Sequence, residues 1–334
     1  MSAAIVAQLA RNGNPGRSLV LRCSVMQGRR AICVSSDGGC CAAVERALAS
    51  AGLDVTHASS IDPDLRDVAL IVVDRAARQA AGDALRALGA PIVVVGDDLD
   101  DDSLIALMLE SSVSHLVTDP RDRDLGITSA KLATGDVFGL EKYVAAGTRV
   151  CERIVLGDTS RRRTMDEVRA FAESVGARRP TLHRIASVVD ELMMNALREV
   201  PASGERRAIV RWAADERAVV LSVADDLGRL RQRDVIAHVR RARADRGRPQ
   251  PSSSARIAEA TPPAGIDVTT GARKQPSGGA GLGLYLVLAN VAALVVNVAP
   301  GTRTEIVCVF DLSRGLRPSV TGVRSLHVFS DRAI

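Results

Sequence analysis

The chain has 334 residues, 46% of them hydrophobic but only 2% aromatic, so two domains of ordinary size are expected, with cores built from Ala, Val, Leu and Ile. Lys and Arg exceed Asp and Glu by 5 in net charge, mostly through arginine; this reads chiefly as composition, with an acidic partner or nucleotide phosphates as the other readings. No stretch reaches the roughly eighteen apolar residues of a membrane span and no secretory signal is evident, so a cytoplasmic protein away from the membrane is expected.

Residues 1–28 read as a flexible leader, turn-like from Arg11 to Arg17. Regular pattern begins at Arg30. Strands are expected at 31–35, 54–57, 68–74, 91–96 and 113–118. Helices are expected at 40–50, 75–88 and 103–111. Short apolar strands alternating with helices predict an open parallel sheet covered on both faces, of flavodoxin-like layout, over 29–120. The acidic run Asp98–Asp102 reads as a solvated loop or helix start.

This pattern resembles a response-regulator receiver. Asp74 ends the third strand, in the place of the phosphoacceptor. The rest of the receiver machinery is poor: Ser35-Ser36-Asp37 supplies one acid where the family has a pair, Gly96 replaces a Thr or Ser, and Asp119 stands where a Lys precedes Pro120. An Asp there removes the cation that would neutralise a phosphoryl group. The resemblance implies a degenerate receiver in which Asp74 is a possible phosphoacceptor, set against a purely structural strand end.

The cysteines are Cys23, Cys33, Cys40, Cys41, Cys151 and Cys308. Cys33, Cys151 and Cys308 fall in apolar strand-like runs and read as reduced core residues. Cys40 and Cys41 are adjacent and offer no metal-site spacing. A helical linker is expected over 121–146, its Phe138 and Tyr143 packing at the junction between halves or binding a partner.

From 148 the pattern is a strand to 155, a helix from 164 to 175 with Asp166 and Glu167 in its first turn, and a helix opened by Pro180. On that helix Leu182, Ile185, Val189 and Leu192 recur at helical spacing. Glu191 and Asn195 stand four apart and share one side. A carboxylate and a carboxamide one turn apart can hold a hydrated Mg²⁺ and orient a water beside it. Strands at 206–214 and 217–224 form a hairpin turned at Asp215-Glu216. Trp212 reads as core. An arginine-rich helix at 230–244 and a Pro, Ser and Ala-rich stretch follow. The basic helix lacks interleaved aromatics and a reading helix, which argues against nucleic acid. The run Gly278-Gly279-Ala280-Gly281-Leu282-Gly283 cannot be a helix interior and suits a loop whose N–H groups approach phosphates before a helix at Leu284. A closing hairpin over 294–310 follows, and 313–334 reads as a basic tail with a short apolar stretch at 325–329.

Three of these motifs, in order, resemble the GHKL ATPases: gyrase B, Hsp90, MutL and the ATP domains of histidine kinases. Glu191-Leu-Met-Met-Asn195 is similar to their N box, Val223-Ala-Asp225-Asp226-Leu227-Gly228 to their middle box, and Gly279-Ala-Gly281-Leu-Gly283 to their glycine box. The element order resembles the anti-sigma-factor type. The resemblance covers 147–312 and implies an α/β sandwich binding ATP and Mg²⁺. In it, Glu191 is the general base, and Glu191 and Asn195 face the metal. Asp225 takes the adenine amino group, with Gly228 and Thr304 near it. Gly279, Gly281 and Gly283 wrap the phosphates, and Arg273 and Lys274 reach them. The middle box departs from the family, since Leu227 and Arg229 replace expected glycines. None of His57, His115, His183, His238 and His327 has the surroundings of an autokinase phosphoacceptor. Two functions stay open: an ATPase or serine kinase acting on a regulatory protein partner, or a non-catalytic nucleotide sensor, either of them compatible with a homodimer.

Overall fold

The computed structural model describes residues 29–61, 67–81, 84–87, 89–96, 106, 113–121, 123–198, 207–237, 282–312 and 325–330. One eleven-stranded sheet runs through both halves of the chain, in the order β2-β1-β3-β4-β5-β11-β9-β10-β8-β7-β6. The first five strands are β1 Arg29–Val34, β2 Leu53–Ala58, β3 Val68–Asp74, β4 Ile92–Val95 and β5 Val113–Val117. They pair in parallel throughout. Their order, 2-1-3-4-5, is that of the flavodoxin-like sheets. Runs such as Val-Ala-Leu-Ile-Val-Val are buried on both faces, which is why they read as continuous rather than alternating apolar stretches. The α/β class expected from the sequence is the class found.

The second half of the sheet is antiparallel: β6 Cys151–Val155, β7 Ala208–Ala214, β8 Ala218–Asp225, β10 Arg303–Asp311 and β9 Ala293–Ala299. The two halves meet on β11, Ser325–Ser330. This strand pairs antiparallel with β5 and parallel with β9. The expectation of a basic tail over 313–334 is thereby corrected at 325–330, the part of it that is described. The apolar stretch at 325–329 is the central strand of the molecule, with Leu326, Val328 and Phe329 buried.

Helices cover the sheet in three packed regions. On one face a continuous core runs from Ile71 and Val94 to Leu221 and Val296. It is closed by α2 Arg75–Ala81, α3 Ala84–Ala87, α5 Asp158–Ser174, α6 Arg179–Arg198 and α7 Leu282–Asn290. On the other face, α1 Gly38–Ser50 and α4 Arg123–Thr134 cover the parallel half. The antiparallel half is covered there by Val137, Leu140, Tyr143 and Val144, around a 3₁₀ turn at Leu140–Tyr143. Tyr143 thus packs where the halves meet, as expected of an aromatic in so aromatic-poor a chain. Trp212 is likewise buried.

Several boundaries differ from expectation for local reasons. The single helix expected at 75–88 is described as two short pieces, α2 and α3. α5 starts at Asp158, not near 164, because the Ser160 hydroxyl accepts from the Leu156 and Gly157 N–H groups and closes the first turn early. Asp166 and Glu167 are therefore mid-helix, where Glu167 pairs with Arg163 and Arg153. α7 starts at Leu282, so Gly283 lies in a helical first turn. The leader, the acidic run at 98–102, most of the helix expected at 103–111, and the stretch 238–281 lie outside the described residues.

At the seam, α4 presents a polar stripe to the sheet. Asp124, Thr128 and Lys131 follow at helical spacing and all are buried. The His327 Nε2 on β11 lies 3.1 Å from Asp124 Oδ2, and its Nδ1 is 3.4 Å from the Thr128 hydroxyl. Lys131 Nζ donates to Asn297 Oδ1 on β9 at 2.8 Å and to the Tyr143 hydroxyl at 3.0 Å, and lies 4.0 Å from the centre of the Phe329 ring. Asn297 donates in turn to Glu305 on β10 at 3.1 Å. The Gly139 N–H donates to the same carboxylate at 2.8 Å. Buried polar groups of this kind are tolerable only when paired, so the network fixes which strands lie side by side. At the first residue of α4, Arg123 ties the helix to Asp215 in the β7–β8 turn at 2.7 Å.

Candidate nucleotide site

Leu182, Ile185, Val189, Leu192, Met193 and Ala196 bury one side of α6. Glu191 and Asn195 fall on the flank of that stripe and are half-buried. Asn195 Nδ2 donates to Glu191 Oε1 at 3.1 Å. The bond orients the carboxamide so that its carbonyl oxygen turns away from the carboxylate, leaving it for a cation or a donor. Asp190, next in sequence, is held by Arg161 of α5 at 2.6 Å. This ion pair ties α6 to its neighbour α5, and no spacing in the chain signals it.

Gly283 of α7 sits directly against Glu191. A Cβ placed on Gly283 would stand 1.8 Å from Glu191 Oε1 and 2.4 Å from its Cδ. No side chain fits there without moving the carboxylate. Gly283 and Glu191, far apart in sequence, are thus brought into contact. Leu284, Val287 and Leu288 anchor α7 in the same core as Val189 and Leu192.

The third motif lies at the end of β8. Asp225 Oδ1 accepts the Leu227 N–H at 2.8 Å. Burial raises the Asp225 carboxyl above the ordinary range, opposed by hydrogen bonds from the Leu227 and Gly228 N–H groups and the Thr304 hydroxyl. Thr304 is also its cross-strand partner on β10. Gly228 has a φ of +58°, and a Cβ there would meet the Ala299 carbonyl oxygen at 2.1 Å. Its own carbonyl accepts the Gly301 N–H at 3.1 Å. The middle box therefore folds back onto the β9–β10 turn, and its one glycine in left-handed conformation is required by that contact.

Asp74 serves the fold locally, since its Oδ1 accepts the Ala77 N–H at 2.7 Å and caps the start of α2. His183 is exposed on α6. Arg273, Lys274, Gly279 and Gly281 lie outside the described residues. A cleft of about 1550 Å³ opens at the seam beside Gly228, lined by Ser114, Lys131, Arg231 and Phe329 among others, but not by Glu191 or Asn195. Among the described residues no helix is long and apolar enough to cross a membrane.

No protein-family model matches the chain, and no curated protein matches it. Among solved structures it is similar to a chain of the SiaB-SiaC complex from Pseudomonas aeruginosa. The TM-score is 0.30 and the identity 16%, over 48% of this chain and 88% of that one. A likeness at that level bears on neither activity nor partner.

Proposed function

We propose that residues 147–312 bind ATP with Mg²⁺ in the GHKL manner, and that the protein is a signalling regulator acting as an ATPase or serine kinase on a partner protein. The observation that carries this is the contact of Gly283 with Glu191, which joins two motifs of the ordered set on one site. Asn195 would supply a carboxamide oxygen ligand for the cation, of the kind Mg²⁺ takes, with the Glu191 carboxylate facing the cation's hydration shell beside it. When bound, that cation neutralises charge on the phosphates. Glu191, whose Oε1 is already steadied by Asn195, orients and accepts the proton of the attacking water or hydroxyl. Asp225, half-satisfied by backbone N–H groups, keeps acceptor capacity for the adenine amino group. Arg273, Lys274, Gly279 and Gly281 complete the phosphate contacts in the same reading. Incubating the full chain with labelled ATP, with and without candidate partner proteins, tests it. Hydrolysis or transfer to a serine supports the enzyme, and ATP that is bound but never turned over leaves only the binding site.

The second reading, a non-catalytic sensor, is favoured by one feature. Asp225 is followed by Asp226 and Leu227, and the loop is spent on packing against the β9–β10 turn. A middle box committed to its own protein contacts has less freedom to shape a reactive nucleotide pocket. Under this reading ATP binding alone changes what the partner meets, and Glu191→Ala has no effect on signalling.

A further inference from the structure

At the far edge of the sheet from β6, the first two strands and α1 gather three side chains that no sequence spacing relates. Cys33 on β1 lies in register beside His57 on β2. After β1 the chain turns sharply, with the Asp37 carboxylate accepting the Gly39 N–H at 2.8 Å and starting α1. This places Cys41, in the first turn of α1, above the end of β1. Its thiol points to the Ser35 carbonyl at 3.6 Å. The two sulfurs and a ring nitrogen of His57 all lie within 4.8 Å of one another.

The setting suits a cation. Cys33 is buried, Cys41 half-buried and His57 exposed, so the cluster has a closed floor and a side open to solvent. Glu45, one turn beyond Cys41, holds its carboxylate 3.5 Å from His57 Nε2. A carboxylate in that place fixes the tautomer and orientation of a ligating imidazole. The described cysteines are free thiols. Burial raises the Cys33 thiol far above its ordinary range, and the neighbouring Cys41 adds to this. Two thiolates, one neutral imidazole and a divalent ion sum to zero charge, the combination that a buried floor accepts most readily. Two thiolates and an imidazole favour a soft or borderline ion over Mg²⁺ or Ca²⁺, and with a fourth position left for water they form a recognised zinc donor set.

We propose that Cys33, Cys41 and His57 form a Zn²⁺ site at the edge of the parallel sheet, separate from the nucleotide site. Binding releases the two thiol protons to solvent, and no redox change is involved. The site would pin α1 and β2 to β1, across the turn that joins β1 to α1.

The test uses the full chain, reduced and stripped of metal, titrated with Co²⁺ as an optical probe and then with Zn²⁺. The expected result is one equivalent of Co²⁺ with a thiolate-to-metal charge-transfer band, displaced stoichiometrically by Zn²⁺. His57→Ala changes an exposed side chain and leaves the fold intact by circular dichroism. It is expected to weaken Zn²⁺ binding by at least about tenfold, in line with the loss of even an outer-shell partner. Cys41→Ser is expected to remove the charge-transfer band. A folded, reduced wild type with no such band overturns the proposal. So does a band of equal strength and affinity in both variants, which would place the metal on other cysteines.

Discussion

Glu191 and Lys131 are both ionisable side chains held against the same sheet, and their surroundings differ in kind. Lys131 is 1% exposed, and its ammonium is committed to Asn297 and Tyr143, with the Phe329 ring beside it. Glu191 and Asn195 are half-buried, share one hydrogen bond, and keep a carboxylate oxygen and a carbonyl oxygen uncommitted by it. Beside them is Gly283, close enough that a side chain there would displace the carboxylate. Polar groups that are buried and paired make the two halves one sheet. Polar groups that are half-open and incompletely paired are where the proposed nucleotide and cation would bind. The same contrast separates the two aspartates: Asp74 is used as a helix cap, and Asp225 is a half-buried carboxylate with capacity to spare.

Substitutions in the two places should have opposite consequences. The largest effect on chemistry is expected at Glu191. Glu191→Ala should lower ATP turnover by about 10²–10⁴-fold, as for other positioned acid–base groups, while shifting unfolding stability by no more than about 0.5 kcal/mol. Steady-state hydrolysis beside denaturant unfolding checks both halves, and a large stability loss would mean that Glu191 serves the fold. Lys131→Ala should do the reverse. It strands the Asn297 and Tyr143 acceptors in the core and removes buried methylenes, for a loss of about 3 kcal/mol or more in denaturant unfolding. ATP affinity of the folded fraction should change little.

Much of the molecule was legible in the chain because the signals are local. Val68–Asp74 and Ile92–Val95 are apolar runs rich in β-branched residues, and α6 carries a regular apolar stripe with Glu191 and Asn195 on its flank. What was not legible depends on distant pairing. Ser325–Ser330 is too short to announce itself, and its burial is decided by β5 and β9, which flank it only once both halves have formed. Asp124, Thr128 and Lys131 look like the solvated side of a linker helix, and only the sheet beneath makes them internal. Cys33, Cys41 and His57 meet through strand register and a tight turn, not through spacing. Thr304 was half-legible: its strand was clear, but its place opposite Asp225 is a matter of register.

At the next level of effect, Asp225→Ala should cost ATP about 1–3 kcal/mol of affinity, since the adenine amino group loses its acceptor. Because burial raises the Asp225 carboxyl, the carboxylate form is lost at a higher pH than for an ordinary aspartate. Adenine binding should therefore weaken on acidification while the fold is still intact, and an Asp225→Asn protein should lack that dependence. The seam has its own pH signature. Burial pulls Lys131 down to about 7, opposed by Glu305. The unfolded chain then binds more protons than the folded one between about 7 and the ordinary lysine range. Stability should accordingly rise with pH across that window, by up to about 1.4 kcal/mol per unit. His115, pushed well below its ordinary value by burial and by His327 and Lys131, adds a loss of stability as pH falls through the usual histidine range. Lys131→Met, which keeps the packing, should flatten the upper slope in pH-dependent denaturation, and an unchanged slope would mean that the charge is not lost in the core.

The smallest effect is expected at Asp74. Asn caps helices as well as Asp does, so Asp74→Asn should shift stability by only a few tenths of a kcal/mol. Small phosphodonors should leave no stable adduct on the wild type by intact-mass measurement. An adduct that disappears in Asp74→Asn would restore the phosphoacceptor role beside the cap.

Whether the half-open cluster on α6 is a nucleotide site is decided by calorimetric titration of the full chain with ATP, with and without Mg²⁺. The expected result is Mg²⁺-dependent binding that Glu191→Ala leaves in place, that Asn195→Ala weakens, and that Gly283→Leu weakens by filling the space beside Glu191 and Asn195 with a bulky side chain. Absence of binding at several millimolar ATP, or binding indifferent to Mg²⁺ and to both Asn195→Ala and Gly283→Leu, would contradict the assignment.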